Sequence, residues 1–305
     1  MGSARPSPIE CGARHTEQAQ GTGCTAATVH LYMSADPRPI GLFDSGLGGL
    51  TVVRALLDLA PRERLVYFGD TGRFPYGPKP AEDVRKYALE IADVLVERDV
   101  KMIVVACNSA SAAALEALRA HVDVPVTGVI EPGLRAAQRA TATGRIGVIG
   151  TVGTIASGAY QRAAAALDPA LALTCAASPG FVEFVEAGDV ESDQVHVLAE
   201  RLLAPVKAAD VDTLVLGCTH YPMLARTISD VMGPDVVLVS SAEETAFEVR
   251  AALAGRRAAP SDGDDLRARR DRVQFVTSGD VETFRRLGAR FCGPEVRTVE
   301  AWAWN

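Results

Sequence analysis

The chain has 305 residues, of which 48% are hydrophobic and 23% charged, a composition typical of a globular protein with enough apolar mass for two cores. Its formal net charge of −7 argues against a protein that binds nucleic acid or anionic membranes through general charge attraction. No apolar run approaches the roughly 18–20 residues that are needed to cross a bilayer. The sequence therefore predicts neither a membrane segment nor direct nucleic-acid binding.

Six cysteines stand at positions 11, 24, 107, 175, 218 and 292, and no two of them form a C-x-x-C pair. This spacing is typical neither of a disulfide framework nor of a zinc site, so we predict no bound metal. Sparse cysteines in a chain of this size suit a reducing compartment, which predicts a cytoplasmic protein.

Residues 1–37 differ from the rest of the chain. Met1–Tyr32 is rich in Gly, Ala, Thr and Ser and shows neither a helical nor a strand period. Its short apolar stretch, Ala26–Met33, lacks a charged segment before it, so we do not interpret it as a signal peptide. We predict a disordered extension over residues 1–37, with Met33 as a candidate start of translation.

The next part of the chain alternates apolar runs with helical patterns. We predict strands over Ile40–Phe43, Leu65–Phe68, Met102–Ala106 and Val126–Val129, and helices over Leu50–Leu59, Glu82–Arg98 and Ala112–Ala120. The loop from the second strand to Pro80 contains Phe74-Pro75-Tyr76-Gly77-Pro78. A loop so rich in turn residues at a strand's carboxyl end is typical of one that closes a site.

The chain then repeats this alternation. Glu131-Pro132-Gly133 predicts a break and the crossing into a second domain. We predict strands over Arg145–Gly150, Leu171–Ala176, Thr213–Gly217, Val236–Val239 and Val273–Val276, a turn over Thr151 to Thr154, and helices over Ala156–Ala166, Phe181–Glu186, Asp193–Ala208, Met223–Met232 and Ala242–Ala254, with a further helix ending at Leu287. The helix Ala242–Ala254 is expected to return towards the first half, and Gly255–Arg270 to form a mobile loop. Strands that alternate with helices throughout predict a parallel α/β architecture.

A weak internal repeat supports two similar halves. Ile40–Ser45 (IGLFDS) aligns with Ile146–Thr151 (IGVIGT) at an offset of 106, and Cys107 and Cys218 recur at an offset of 111. Offsets so close suggest a duplicated α/β unit whose halves face each other across a cleft. Such an arrangement would place one cysteine on each side of a bound small molecule.

Each of these two cysteines follows a buried apolar strand and precedes hydroxyl or amide residues. Cys107 is followed by Asn108-Ser109, and Cys218 by Thr219-His220. Small ligands of open α/β sheets bind at such strand-to-helix turns, where free amides and the helix dipole also favour a thiolate. Reversing a stereocentre by proton transfer needs one group on each face of a carbon, and two thiols can serve. Asp44 and His220 are candidate neighbours that relay protons or tune the thiols.

Other interpretations of these residues are weaker. A free cysteine is most often a small buried hydrophobe, which is the interpretation we keep for Cys11, Cys24, Cys175 and Cys292. The glycines at 46, 48 and 49 do not form the G-x-G-x-x-G pattern of a dinucleotide site. Lys79 lies in a proline-flanked loop without a phosphate cradle, so pyridoxal phosphate is disfavoured and no cofactor is predicted.

Five segments together resemble the signature set of the bacterial glutamate racemases. They are FDSGLGGLTVVRAL, VYFGDTGRFPYGP, VVACNSASA, GVIGTVGT and LVLGCTHYPML, in this order between Ile40 and Val296. The resemblance implies two pseudo-symmetric parallel-sheet α/β domains, residues 38–130 with 240–305 and an inserted 131–239, with the active site in the cleft between them. It further implies cofactor-independent interconversion of L- and D-glutamate, which supplies D-glutamate for peptidoglycan.

The same resemblance implies roles for individual residues. Cys107 would act on D-glutamate and Cys218 on L-glutamate, with Asp44 and His220 as their respective helpers and Glu186 as an acidic residue near the second cysteine. Substrate-binding positions are implied at Asp44, Ser45, Tyr76, Gly77, Asn108, Ser109, Thr151, Thr154, Thr219 and His220. Ser109 stands where many members have Thr, and Ser178-Pro179-Gly180 replaces a more usual Cys-Pro-x.

Other functions and partners stay open on the sequence alone. The nearest rival activity is a two-cysteine racemase for aspartate or a hydantoin, whereas related decarboxylases tend to keep only one of the two cysteines. A rival of another class is a regulatory protein, because some glutamate racemases bind DNA gyrase. A homodimer is the expected assembly, and glutamate the expected small-molecule partner.

Overall fold

The predicted α/β architecture is confirmed by a computed structural model, which describes residues 36–253 and 272–304. Ten strands in this part of the chain form two sheets in which every neighbouring pair is parallel. The strands are β1 Ile40–Asp44, β2 Leu65–Gly69, β3 Met102–Val105, β4 Val126–Gly128, β5 Arg145–Gly150, β6 Ala172–Ala177, β7 Thr213–Gly217, β8 Val237–Ser240, β9 Val273–Thr277 and β10 Val299–Ala301.

The order of the strands reveals the internal repeat. The first sheet runs β10-β9-β2-β1-β3-β4 and the second β6-β5-β7-β8, so the order 2-1-3-4 recurs as 6-5-7-8. In the first sheet β2 lies on one side of β1 and β3 on the other, and in the second sheet β6 and β7 flank β5 in the same way. Ligands of open α/β sheets bind where the strand order reverses in this way. Cys107 follows β3 and Cys218 follows β7, so both lie at such a point.

Helices cover both faces of each sheet. They are α1 Leu50–Leu59, α2 Ala81–Glu97, α3 Asn108–His121, α4 Ile130–Ala140, α5 Val152–Ala156, α6 Ala159–Leu167, α7 Phe181–Ala187, α8 Asp193–Ala208, α9 Ala225–Met232, α10 Ser241–Ala252 and α11 Val281–Cys292, with short 3₁₀ turns at Thr71–Arg73 and Tyr221–Leu224. Apolar side chains of α1, α10 and α11 pack on one face of the first sheet, and those of α2 and α3 on the other. Apolar side chains of α7, α8 and α9 cover one face of the second sheet, and those of α4 and α6 the other. The predicted return of α10 to the first half is thus confirmed.

Three local predictions were wrong. Glu131-Pro132-Gly133 does not break the chain but lies in the first turn of α4, where a proline is tolerated because the amide it lacks would have no partner within the helix. Helix α3 begins at Asn108 rather than Ala112, since Cys107 caps it. The predicted turn after β5 is the cap and first turn of α5, with Thr151 accepting a hydrogen bond from the Thr154 amide.

One strand was missed, and some predictions concern features that the structure does not test. Strand β10 was not predicted, because three residues on a sheet edge carry little periodic signal. Nearly all of the extension at 1–37 and all of the loop Gly255–Arg270 lie outside the described residues. The described residues belong to one compact unit, Ala35–Asn305, and the domain bounds 38–130 with 240–305 and 131–239 stay a prediction. No helix in the described ranges has the length and apolarity to cross a membrane.

Candidate active site

Cys107 and Cys218 line one cavity, which lies between the carboxyl ends of the two sheets. The empty space of the cavity, including its mouth that is open to solvent, is about 610 Å³. It is lined by Ser45, Phe74, Pro75, Tyr76, Gly77, Pro78, Cys107, Asn108, Ser109, Thr151, Val152, Ser178, Pro179, Gly180, Val182, Glu183, Cys218, Thr219 and His220. The first sheet thus contributes one sulfur and the second sheet the other, as the repeat predicted.

Cys107 is held at the start of α3 by the polar groups around its sulfur. Its backbone is extended, and Sγ accepts a hydrogen bond from the Ala110 amide at 3.4 Å while the thiol donates to Ser45 Oγ at 3.8 Å. Burial raises the pKa of the Cys107 thiol to about 12, and the negative charge of Asp44 adds to the rise. The sequence predicted a setting that favours a thiolate, and this was wrong for Cys107 because burial outweighs the helix amides.

Cys218 lies at the end of a row of three side chains. His220 Nδ1 is 3.9 Å from the Cys218 sulfur, and His220 Nε2 is 2.7 Å from Glu186 Oε1. Burial by itself lowers the pKa of His220, but its hydrogen bonds to Cys218 and Glu186, together with the charge of Asp44, raise it overall to about 10. The imidazole is therefore positively charged at neutral pH, and it lies between the sulfur and the carboxylate.

Asp44 is buried at the end of β1 and does not line the cavity. Its Oδ1 accepts a hydrogen bond from the Gly46 amide at 2.8 Å, and its Oδ2 accepts one from Thr219 Oγ1 at 3.3 Å. Burial raises the pKa of Asp44, whereas the charge of His220 and these hydrogen bonds oppose the rise. Asp44 therefore affects the pKa of Cys107 through its negative charge. It binds directly to Thr219, the residue that follows Cys218.

Hydroxyl and amide groups join the two halves on the side of the cavity near α3. Ser109 Oγ lies 2.9 Å from Thr151 Oγ1 and 3.2 Å from Thr154 Oγ1, and the two threonine hydroxyls lie 2.9 Å apart. Asn108 Nδ2 donates to the Tyr160 hydroxyl at 2.9 Å, while the buried Asn108 Oδ1 has no partner in the described part of the chain. A buried polar atom without a partner costs stability, so Asn108 Oδ1 is a candidate acceptor for a ligand.

Glycines permit the close approach of the two halves. The Gly77 carbonyl accepts a hydrogen bond from the Gly153 amide at 2.9 Å, and a Cβ added at Gly77 would lie 2.7 Å from the Thr151 Cβ. A Cβ added at Gly48 would lie 2.2 Å from Thr219 Oγ1 and 2.5 Å from His220 Nδ1. The Asp44–Gly49 turn and the Tyr76-Gly77 turn therefore touch the second half through backbone that only glycine allows.

The structure brings every predicted site residue to this cavity or directly behind it. Asp44, Thr154 and Glu186 lie behind the lining and contact Thr219, Ser109 and His220, respectively. Phe74, Pro75 and Pro78 belong to the loop that was predicted to close a site, whereas sequence reasoning did not name Val152, Ser178, Pro179, Gly180, Val182 or Glu183 as site residues, and these also line the cavity. The segment Ser178-Pro179-Gly180 follows β6, so its place at a strand's carboxyl end was the signal that could have found it.

The lining carries little positive charge. No lysine or arginine of the described ranges lines the cavity, which leaves His220 as its cation. Hydroxyls, the Asn108 amide and the free amides at the start of α3 are the remaining donors, and such groups suit carboxylates. Among the described residues no group of three or more His, Cys, Asp or Glu side chains is placed to hold a metal ion.

Comparisons with known proteins point to one family. A family model described as Asp/Glu/Hydantoin racemase matches residues 40–248. A glutamate racemase of Beutenbergia cavernae is 53% identical over 268 residues, covering 86% of this chain and 91% of the relative. A glutamate racemase of Mycobacterium leprae is 53% identical over 274 residues, covering 88% of this chain and 97% of the relative.

Solved structures of glutamate racemases share the fold over the same span. The enzyme of Thermus thermophilus, solved with beta-chloro-D-alanine, matches with a TM-score of 0.77 and 44% identity, covering 88% of this chain and 98% of the other. The enzyme of Francisella tularensis, solved with D-glutamate, matches with a TM-score of 0.80 and 30% identity, covering 88% of this chain and 98% of the other.

Proposed function

Since this chain belongs to the Asp/Glu/hydantoin racemase family and, within it, to the glutamate racemases, we propose that it interconverts L- and D-glutamate with two thiols. The observation that carries this mechanism is that Cys107 and Cys218 line the same cavity from different sheets. A carbon bound between them has one sulfur on each face, which is what inversion by proton transfer requires.

The proposed steps balance in protons. The Cys218 thiolate takes the proton from Cα of L-glutamate, which leaves a carbanion whose charge spreads into the α-carboxylate. The Cys107 thiol then gives its proton to the opposite face, so that D-glutamate forms. The enzyme is left with a Cys218 thiol and a Cys107 thiolate, and the reaction of D-glutamate runs through the same steps in reverse.

The charges around the two sulfurs support this division of labour. The pKa of Cys107, raised by burial to about 12, keeps this residue as the thiol that donates to the carbanion. The imidazolium of His220, 3.9 Å from the other sulfur, stabilises negative charge on Cys218.

The polar groups of the cavity support a substrate with two carboxylates and one ammonium group. The hydroxyls of Ser45 and Ser109 and the amides at the start of α3 are donors for carboxylate oxygens. The unpaired Asn108 Oδ1 is an acceptor for the ammonium group. Donors placed on the α-carboxylate also stabilise the carbanion, which is the high-energy species of the reaction.

Racemisation of L-glutamate in deuterium oxide tests the mechanism. Wild-type protein is expected to form D-glutamate that carries solvent deuterium at Cα, while the L-glutamate that remains early in the reaction keeps its proton. Two separate bases predict this pattern, because the proton removed from one face is not the one delivered to the other. Early exchange into both isomers would instead indicate a single base.

Variants assign the two thiols. Cys107→Ser and Cys218→Ser are each expected to lower racemisation severely in both directions, because the reaction in either direction uses both groups, one in each step. Cys175→Ser is the matched control, since Cys175 is half-buried and lies outside the cavity lining. Near-normal racemisation by either active-site variant would remove that residue from the mechanism.

Membership of the glutamate racemases supports a biological setting for the reaction. We propose that the D-glutamate made here supplies peptidoglycan synthesis in the cytoplasm, and a homodimer stays the expected assembly. Binding to DNA gyrase also stays a prediction. Supercoiling assays with the Cys107→Ala and Cys218→Ala proteins would separate that role from catalysis.

A further inference from the structure

Trp304 contacts the loop that leads into the cavity, although it lies more than 200 positions away in the sequence. Strand β10 ends at Ala301, and the Trp302 amide donates to the Thr277 carbonyl at 2.7 Å, which continues the edge of the first sheet. Trp304 Nε1 then donates to Asp70 Oδ1 at 3.0 Å. The double-tryptophan segment, Trp302 to Trp304, is thereby fixed against the residues that follow β2.

Asp70 is completely buried and collects hydrogen bonds from four directions. Oδ1 accepts from Ser278 Oγ at 2.6 Å and from Trp304, while Oδ2 accepts from Arg73 Nε at 2.7 Å and from the Tyr76 hydroxyl. A carboxylate with donors on both oxygens has one orientation. Loss of one donor therefore changes the orientation of the carboxylate to which the other donors bind.

The guanidinium of Arg73 is enclosed by rings. It lies 3.8 Å from the centroid of the Trp304 ring and 4.1 Å from that of Tyr87, and it also contacts Glu90. Stacking on two aromatic faces restricts the orientation of the guanidinium. Trp304 therefore holds Arg73 through its ring and Asp70 through its N–H.

Tyr76 transmits this arrangement to the cavity. Its hydroxyl donates to Asp70, and Tyr76 itself lines the cavity together with Gly77. The Gly77 carbonyl in turn binds the Gly153 amide of the second half. A continuous path of contacts thus leads from Trp304 through Asp70 and Tyr76 to the wall that both halves share.

We propose that Trp304 is a positioning residue of the active site, which sets the place of the Tyr76-Gly77 turn against bound glutamate through Asp70 and Arg73. The inference rests on the proposed function, because it takes glutamate as the ligand of the cavity. It adds to that function a residue that contacts neither the substrate nor the thiols.

The test compares two matched variants, Trp304→Phe and Trp302→Phe. The first keeps a ring over Arg73 but removes the N–H that binds Asp70. The second makes the same chemical change at a half-buried indole whose buried Nε1 has no partner in the described residues. Trp304→Phe is expected to raise KM for glutamate about three- to tenfold in both directions, with kcat changed less, and Trp302→Phe to leave KM within about twofold.

Fluorescence gives a second readout that needs no change at Trp304. The chain has two tryptophans, so Trp302→Phe leaves Trp304 as the only one. Adding D-glutamate to this variant is expected to change the Trp304 emission saturably, with a midpoint near KM, because Trp304 is joined through Asp70 and Tyr76 to the wall that the substrate contacts. This measurement decides the matter if Trp304→Phe does not fold.

Three results would overturn the proposal. They are an unchanged KM in a folded Trp304→Phe protein, an equal rise of KM in both variants, and a Trp304 emission that saturating glutamate does not alter. A wild-type protein that does not racemise glutamate would instead refute the proposed function, so the two failures are distinct.

Discussion

Glu186→Gln tests the charge on His220 with the smallest change of shape. Glu186 Oε1 lies 2.7 Å from His220 Nε2, and the side chain of His220 is buried. A hydrogen bond between charged groups contributes about 1.5–3 kcal/mol, and one pKa unit corresponds to about 1.4 kcal/mol. Losing this carboxylate is therefore expected to lower the pKa of His220 from about 10 by about one to two units.

The pH dependence of kcat/KM reports this change. The activity of the wild type is expected to fall at alkaline pH as His220 loses its proton near pH 10. In the variant the fall should begin about one to two units lower, so that at pH 9 His220 changes from about nine-tenths protonated to about half or less.

The equilibrium constant of a racemisation is 1, so kcat/KM must fall equally for L- and D-glutamate. Unequal falls would therefore indicate an error in the kinetic measurement. Glu191→Gln is the matched control, because Glu191 is exposed and binds Arg226 away from the cavity. An alkaline limb that is the same in Glu186→Gln and in the wild type would refute the argument that Glu186 maintains the charge on His220.

Other outcomes follow from the same contacts. Gly48→Ala is expected to displace Thr219 and His220, because its Cβ would lie 2.2 Å and 2.5 Å from their side-chain atoms, and to lower kcat about tenfold or more in steady-state assays; unchanged kcat would contradict the close approach. Tyr160→Phe removes the acceptor of the Asn108 amide, so the free energy of unfolding measured in urea should fall by about 1–3 kcal/mol. Because the pKa of His220 is raised from 6.5 to about 10 on folding, its protonation stabilises the folded state fully below pH 6.5, and this stabilisation is lost as pH rises towards 10. Wild-type unfolding free energy should therefore decline over this interval relative to His220→Asn, and parallel pH curves would contradict the shift.

The sequence was sufficient to predict where the two cysteine sulfurs lie in the fold. A buried apolar run that stops at Cys107 or Cys218 places the sulfur at the carboxyl edge of a sheet, because parallel strands end at the same edge. The repeat of Ile40–Ser45 at Ile146–Thr151 then predicted two facing halves, and the strand orders 2-1-3-4 and 6-5-7-8 agree with it. The comparisons confirm the resemblance that the motifs suggested.

Predictions from local composition were wrong where the position of a residue within a helix decides whether the residue is tolerated there. Asn108 and Ser109 are weak helix formers in a helix interior, yet they begin α3 because the first turn needs no partners for its amides. Pro132 is a helix breaker in general, but the same reason lets it lie at the start of α4.

Contacts between distant segments could not be predicted from the pattern. Nothing near Asp70 in the sequence indicates that Ser278 and Trp304 will donate to it, since those residues arrive with β9 and the edge of the sheet. The rise in the pKa of Cys107 is likewise a consequence of how many other groups surround it. Both features depend on the assembled fold.

The late position of β9 in the chain bears on how the protein is made. Strands β5–β8 come from the single run Arg145–Ser240, so the second sheet can assemble as soon as that run has left the ribosome. In the first sheet, however, β2 pairs with β9, and β9 is synthesised after the whole second sheet. The half with Cys218 is therefore ready before the half with Cys107, and a nascent chain that stops short of Val273 exposes an unpaired edge of β2 to aggregation.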